Sequence, residues 1–433
     1  MIFTMYKTLL IFVFIGTLGL ATVSCDQLLG SKGDEITDEI FDEGKKDPNT
    51  VVDEVAYAAL LPFWDEFDNP TDVYIGYDEL VYVTDAEGLH VLDRAGRKYD
   101  SISIRGAVSV TQDRLLNIYV AARYDTVITA VDSDITWDLP AVYKIKNANG
   151  AGQIQFVDTL RHPFMDNSRS TTNAQHRRLD RNRADNDELV ELTGVTVLAN
   201  NNIYVSRRGP NNSSGQATAP DNTVLVYDEL RDSNGDRTGK MRNISQIRTL
   251  NPNTPSLLSG ISISDITSFI GPPQRENLAE NLSFLISQGA KERDISYRVL
   301  WVNAVQTPDG LEYRSNGTLL TRDTTRAESF LYDQDKFKNP TGIAYSADSR
   351  GHIFVVDAET DSLYMFQSNG IEGVNPPAGS AIDKAINISF GGTGNGPREF
   401  NNPNGVAYFR QIVYVADTGN NRIARYKLTT DFE

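Results

Sequence analysis

The sequence predicts an all-β chain of six repeated units closed into a ring, and three observations carry that reading. The first is a repeat near the C-terminus. Asn339-Pro-Thr-Gly-Ile-Ala-Tyr345, Gly351-His-Ile-Phe-Val-Val-Asp357 and Ser362-Leu-Tyr-Met-Phe366 align with Asn402-Pro-Asn-Gly-Val-Ala-Tyr408, Ile412-Val-Tyr-Val-Ala-Asp417 and Asn421-Arg-Ile-Ala-Arg-Tyr426. The second is that the same skeleton recurs, more faintly, upstream. The third is that the last unit shows three strands, while Val55–Leu61 is a strand-like run just before the first unit. That run can supply the missing outer strand, which leaves no bare sheet edge. The predicted architecture is a six-bladed β-propeller over residues 52–433, its last blade closed by an N-terminal strand.

The units run in order. Blade one is read from Phe67-Asp-Asn-Pro70 through Val81-Tyr-Val-Thr-Asp85 to Leu89-His-Val-Leu-Asp93. Blade two is read from Asn117–Ala121 and Val142–Ile145, and blade three from Asn202–Ser206 and Val224–Tyr227. Blade four is the most degenerate, with Tyr297–Asn303 as its second strand and Leu311–Tyr313 as its third. Alternating Val, Ile and Tyr suit pleated strands packed between neighbours. Asn-Pro-x-Gly suits a sharp turn as the chain crosses inward to the next blade. In the turn from Asp417 to Arg422 the carboxylate is placed to accept backbone N–H groups, so Asp85, Asp357 and Asp417 read as structural before functional. Between Pro272 and Asp294, Leu278, Leu282, Leu285 and Ile286 fall at i, i+4, i+7 and i+8, with Gly289 after them. That spacing predicts a helical insertion in blade four.

The most regular stretch runs from Gly391-Gly-Thr-Gly-Asn-Gly-Pro-Arg-Glu-Phe400 into Asn402–Ala407 and then Tyr414-Val-Ala-Asp-Thr-Gly-Asn-Asn-Arg-Ile423. It resembles the NHL repeat, the unit of one propeller family. The resemblance implies an NHL-like ring in which second-to-third-strand loops and blade-to-blade connections open on one face. It also brings two enzymatic precedents: amidating lyases that hold zinc on several histidines, and calcium-dependent propellers of the gluconolactonase type.

The N-terminal residues carry one charge, Lys7, and lead into an apolar run from Leu9 to Ala21. About 13 residues fall short of the roughly 20 that a spanning helix needs, so residues 1–24 read as a secretory signal peptide. Thr22-Val-Ser-Cys25 resembles the bacterial lipobox, with Thr22 where Leu is usual, and implies acylation of Cys25. Cys25 is the only cysteine of 433 residues, which excludes an intramolecular disulfide. Residues 25–51, with Asp34, Glu35, Asp38, Glu39, Asp42 and Glu43, read as the lipidated cysteine and an acidic flexible tether. A formal charge of −17 argues against nucleic acid and anionic membrane surfaces as partners. The expected setting is the bacterial cell envelope, lipid-anchored, periplasmic or at the cell surface, with the outer membrane favoured.

Function is less legible. With Cys25 acylated no cysteine nucleophile remains, and neither a Gly-x-Ser-x-Gly elbow nor a phosphate-cradling loop is present. Of the four histidines, His90 lies in a strand, His352 in a blade turn, and His162 and His176 in or beside one connection, so no metal site is read. Long insertions gather on one face: residues 124–140 with Trp137, residues 207–221, and the connection 161–189 with Arg169, Arg177, Arg178, Arg181 and Arg183. Long loops on a rigid scaffold are the usual place for binding. Second-strand ends add Asp85, Arg123, Arg207, Arg208, Asn303, Asp357 and Asp417. Acids and arginines around one mouth suit a polar ligand, although arginines there equally suit pairing with neighbouring acids. The predicted function is recognition of a protein, peptide or glycan through this face, without a cofactor. The second reading is a calcium-dependent lactonase- or esterase-like hydrolase. It needs about six to eight oxygen ligands around the channel, and no inward Glu near blade one paired with later Asn residues is apparent.

Overall fold

The computed structural model describes residues 55–129, 134–150, 152–161, 187–209, 222–247, 257–272, 281–289 and 295–432. Cys25, the signal segment, the tether, and the loop segments 162–186 and 210–221 lie outside them. Six four-stranded antiparallel sheets follow one another along the chain. Blade one comprises Asp72–Ile75, Val81–Thr84, Gly88–Leu92 and Lys98–Ser103. Blade two comprises Ser109–Gln112, Ile118–Thr129, Asp134–Lys146 and Gln155–Arg161. Glu191–Val197, Ile203–Arg208, Thr223–Arg231 and Arg237–Gln246 form blade three. Ile263–Ser268, Phe284–Gln288, Val299–Thr307 and Gly310–Ser315 form blade four. Blade five takes Pro340–Tyr345, Ile353–Asp357, Ser362–Phe366 and the short Phe390–Gly391.

Blade six takes Pro403–Phe409, Ile412–Asp417 and Arg422–Leu428, and its outer strand is Tyr57–Ala59. The expected closure is therefore present. Tyr57 pairs with Leu428 and Ala59 with Tyr426, and the Leu60 N–H donates to the Arg425 carbonyl at 2.8 Å. The first strand of each blade packs against the first strand of the next, and that of blade six against that of blade one. These six strands line the axis, and blades one and four stand on opposite sides of it.

The core is a set of apolar layers, one between each neighbouring pair of blades. Val83 and Val81 meet Tyr414 and Ala416 between blades one and six, and Leu89 and Val91 meet Ile118 and Val120 between blades one and two. The same arrangement continues round to Phe354 and Met365 of blade five against Val413 and Val415 of blade six. Each fully buried side chain of this kind contributes about 1.5–3 kcal/mol. Strands buried on both faces explain why apolar residues such as Val, Ile, Leu and Tyr fill most second and third strands.

Three expectations are corrected. The described residues contain no α-helix, and the predicted insertion in blade four instead delivers the strand Phe284–Gln288. Leu285 points into the layer shared with blade five and Ile286 into the layer shared with blade three. An apolar run buried on both faces of a strand mimics one helical stripe over so few residues. The frame of blade four shifts with it: Asn303 lies in the third strand, not at the end of the second. In blade two, residues 124–129 and 134–140 prolong the central hairpin, which pairs continuously from Ile118 with Ile145 to Thr129 with Asp134.

Candidate ligand site in the axial channel

Each first strand enters the channel at an equivalent residue: Asp72, Ser109, Gly194, Asp265, Gly342 and Gly405 in blades one to six. In blades three, four and five a register shift falls just before it, between Leu192 and Gly194, Ile263 and Asp265, and Pro340 and Gly342. Bulges of this kind re-aim side chains. Thr193 and Thr341 sit at two of these bulges and reach the next blade, as does Thr71 just before the first strand of blade one. Thr71 donates to the Ala107 carbonyl at 3.1 Å, Thr193 to Ile263 at 3.0 Å and Thr341 to Pro403 at 2.7 Å. The three hydroxyls link blades one to two, three to four and five to six.

Two of the six channel positions are acidic, and they belong to opposite blades. Asp72 accepts the N–H of Val73 at 2.8 Å and that of Val110, in the next blade, at 3.0 Å. Asp265 accepts the N–H of Ile266 at 2.8 Å and that of Ile343, also in the next blade, at 2.9 Å. The preceding blade makes room in each case with a glycine. A Cβ on Gly405 would come within 2.6 Å of Asp72 Oδ1, and one on Gly194 within 2.7 Å of Asp265 Oδ1. Burial pushes Asp72 up to about 7 against the pull of its N–H partners. Burial and then the neighbouring Asp72 charge push Asp265 well above the carboxylate range. Such a pair titrates jointly and holds proton at neutral pH.

The two carboxyl groups form the waist of the channel, lining the cavities on both sides of it. On one side lies a cavity of about 380 Å³, walled by Thr71, Thr193, Ser264, Asn339, Thr341 and Asn404 and rimmed by Arg123, Glu191 and Arg208. On the other lies a narrower space of about 70 Å³ that reaches Tyr74, Thr111 and Tyr408. The larger cavity opens where the long insertions leave the ring. Arg208 precedes the 210–221 segment, Glu191 follows the 161–189 connection, and Ala122, Arg123 and Pro140 stand at the base of the blade-two hairpin.

The residues singled out from sequence fall mostly into structural roles. The Asp357 carboxylate accepts the N–H groups of Lys338, Asn339, Glu359 and Thr360. Asp417 accepts the Asn401 N–H and the Arg422 guanidinium. Asp85 accepts the N–H groups of Asp68, Glu87 and Gly88. Arg123 reaches the cavity rim but is spent on Asp138 and on the carbonyls of Val190 and Glu188. Arg208 is paired with Glu191, and Arg207 is buried at the strand end. Asn303 accepts the Trp301 indole N–H at 2.9 Å. Trp137 lies opposite Thr126 in the long hairpin. Sequence reading missed Asp72 and Asp265. Their signal was present, as aspartate where the aligned repeats of blades five and six have Gly342 and Gly405.

A family profile described as NHL repeat matches residues 400–426, within the last blade. No curated protein matches the chain in sequence. Among solved structures it is similar to an auxiliary nutrient binding protein from Bacteroides ovatus (TM-score 0.45, 11% identity, 84% of this chain and 70% of that one). It is also similar to a gluconolactonase from Xanthomonas campestris (TM-score 0.42, 9% identity, 84% and 87%) and to a regucalcin from Agrobacterium tumefaciens (TM-score 0.43, 9% identity, 86% and 94%). These likenesses are too distant to bear on function. The chain is an all-β six-bladed propeller carrying an NHL repeat.

Proposed function

We propose that this chain is an extracytoplasmic binding protein, held to the bacterial cell envelope by a lipid on Cys25, with the outer membrane favoured. It takes a polar part of a protein, peptide or glycan ligand into the axial cavity on the long-loop face. The observation that carries this reading is the cavity of about 380 Å³ floored by Asp72 and Asp265 and opening among the roots of the insertions. Its volume lies in the range of small-ligand sites, and its convergent polar groups are of the kind that fix orientation. Two buried carboxyl groups there favour ligands rich in hydroxyl groups.

The calcium-dependent hydrolase reading draws on the same two acids, and the donor set fits it poorly. Calcium takes about six to eight oxygens, whereas the waist supplies two carboxyl groups that burial holds toward the protonated form. No reaction step is therefore derived. The test is a thermal-shift panel of soluble oligosaccharides and peptides on the full chain in detergent, repeated with Asp265→Asn. Binding predicts stabilising compounds whose effect fades in the variant. Stabilisation by calcium alone, lost in Asp265→Asn, would favour the hydrolase.

A further inference from the structure

Blade one departs from the repeat at one buried position. In blade six, Arg422 stands five residues after Asp417 and satisfies its turn completely. Its guanidinium donates to Asp417 at 2.7 Å and to the carbonyls of Asn395, Gly396 and Glu399. In blade one the turn after Asp85 is shorter, and His90, five residues on, lies in the third strand opposite Val83. Only 2% of His90 is exposed. It packs edge-on against Phe67; Nε2 faces Asp85 Oδ2 at 2.7 Å, and Nδ1 has no hydrogen-bond partner.

An unsatisfied polar group at such depth costs about 1–3 kcal/mol. What surrounds this one is a set of ligand atoms. One nitrogen of His90 and one carboxylate oxygen each of Asp85 and Glu87 lie within 4.8 Å of one another. Asp85 is fixed by the N–H groups of Asp68, Glu87 and Gly88, so this ligand needs no ordering on binding. Glu87 is exposed, and with His90 it borders an open cavity of about 490 Å³ that also touches Ser101, Ser103 and Arg105. An ion therefore has an entry path, and a coordination position remains toward that cavity.

We propose that Asp85, Glu87 and His90 form a divalent-metal site of the zinc type on the hairpin between the second and third strands of blade one. One imidazole nitrogen and two carboxylate oxygens supply three protein ligands, the number that open zinc sites use. Calcium, which prefers many oxygens, matches less well. The site is distinct from the axial cavity and does not depend on the binding function proposed above.

The probes are Co²⁺ and Zn²⁺ alone, added to the metal-stripped full chain in detergent. Co²⁺ should bind saturably at one equivalent with visible absorption bands, and Zn²⁺ should displace it. Glu87 is exposed, so Glu87→Gln leaves the fold intact and should weaken Co²⁺ at least about tenfold. His90→Gln should do the same, and Asp72→Asn should not. With four histidines in the chain, imidazole ¹⁵N spectra separate their signals, and Zn²⁺ should move that of His90. Absence of saturable binding, full affinity in Glu87→Gln, or an unmoved His90 signal would each overturn the proposal.

Discussion

Asp72 and Asp265 occupy the same position on opposite blades and hold equivalent partners. Each accepts the N–H of its own following residue and that of one residue in the next blade. Each also fills the space left by a glycine of the preceding blade. The pair gives an otherwise six-fold ring a two-fold polar axis at its narrowest point.

That arrangement has a consequence for stability against pH. Both folded carboxyls are raised above their unfolded values. Between those values the folded state binds more protons than the unfolded one, so these groups make stability fall as pH rises from about 4 toward 7. For Asp72 the shift corresponds to at most about 4 kcal/mol. Asp72→Asn should remove much of this slope, because it also relieves Asp265 of a neighbouring charge. Denaturation of both proteins from about pH 4 to 8 checks it; parallel profiles would count against the coupled pair.

Gly342 shows what the first-strand glycine is for. A Cβ there would overlap the Asn404 carbonyl of the next blade. A rigid backbone cannot yield as a side chain does, so Gly342→Ala should destabilise by about 1–3 kcal/mol, read as a lowered denaturant midpoint. An unchanged midpoint would mean the blades slide apart freely.

Asp417 separates structural from binding roles. Its carboxylate ties the turn entering blade six to Arg422 and is fully buried. Asp417→Asn leaves the Arg422 charge poorly compensated and should cost about 3 kcal/mol, with no change in affinity for a ligand of the axial cavity. Loss of affinity without loss of stability would return this residue to the site.

The proposed lipid anchor rests on one side chain, Cys25. Cys25→Ser should abolish incorporation of radiolabelled palmitate and move the protein from the membrane to the soluble fraction. Unchanged membrane association would exclude the lipid as the anchor.

The ring was legible because each blade repeats its own solution to one packing problem. Asn-Pro-x-Gly turns, second strands ending in Asp85, Asp357 or Asp417, and the strand-like run at Val55–Leu61 all survive as pattern. Blade four was not legible at the level of its strands. The segment Phe284–Gln288 is buried on both faces and carries no alternation to distinguish it from a helix. The site was hidden for another reason. Arg123, Arg208 and the turn aspartates stand out in sequence because they are charged, yet folding spends those charges on nearby partners. Asp72 and Asp265 become conspicuous only when blades are superposed and the glycine they replace comes into view.

The proposed ligand enters the axial cavity, and Val108 offers a way to fill it. Val108 lines the cavity from blade two and is 38% exposed, so Val108→Trp occupies the space without disturbing a packed layer. Calorimetric affinity of any stabilising oligosaccharide or peptide should then fall at least about tenfold, roughly 1.4 kcal/mol, while the melting temperature of the free protein stays near that of the parent. Full affinity in Val108→Trp would contradict binding in the channel.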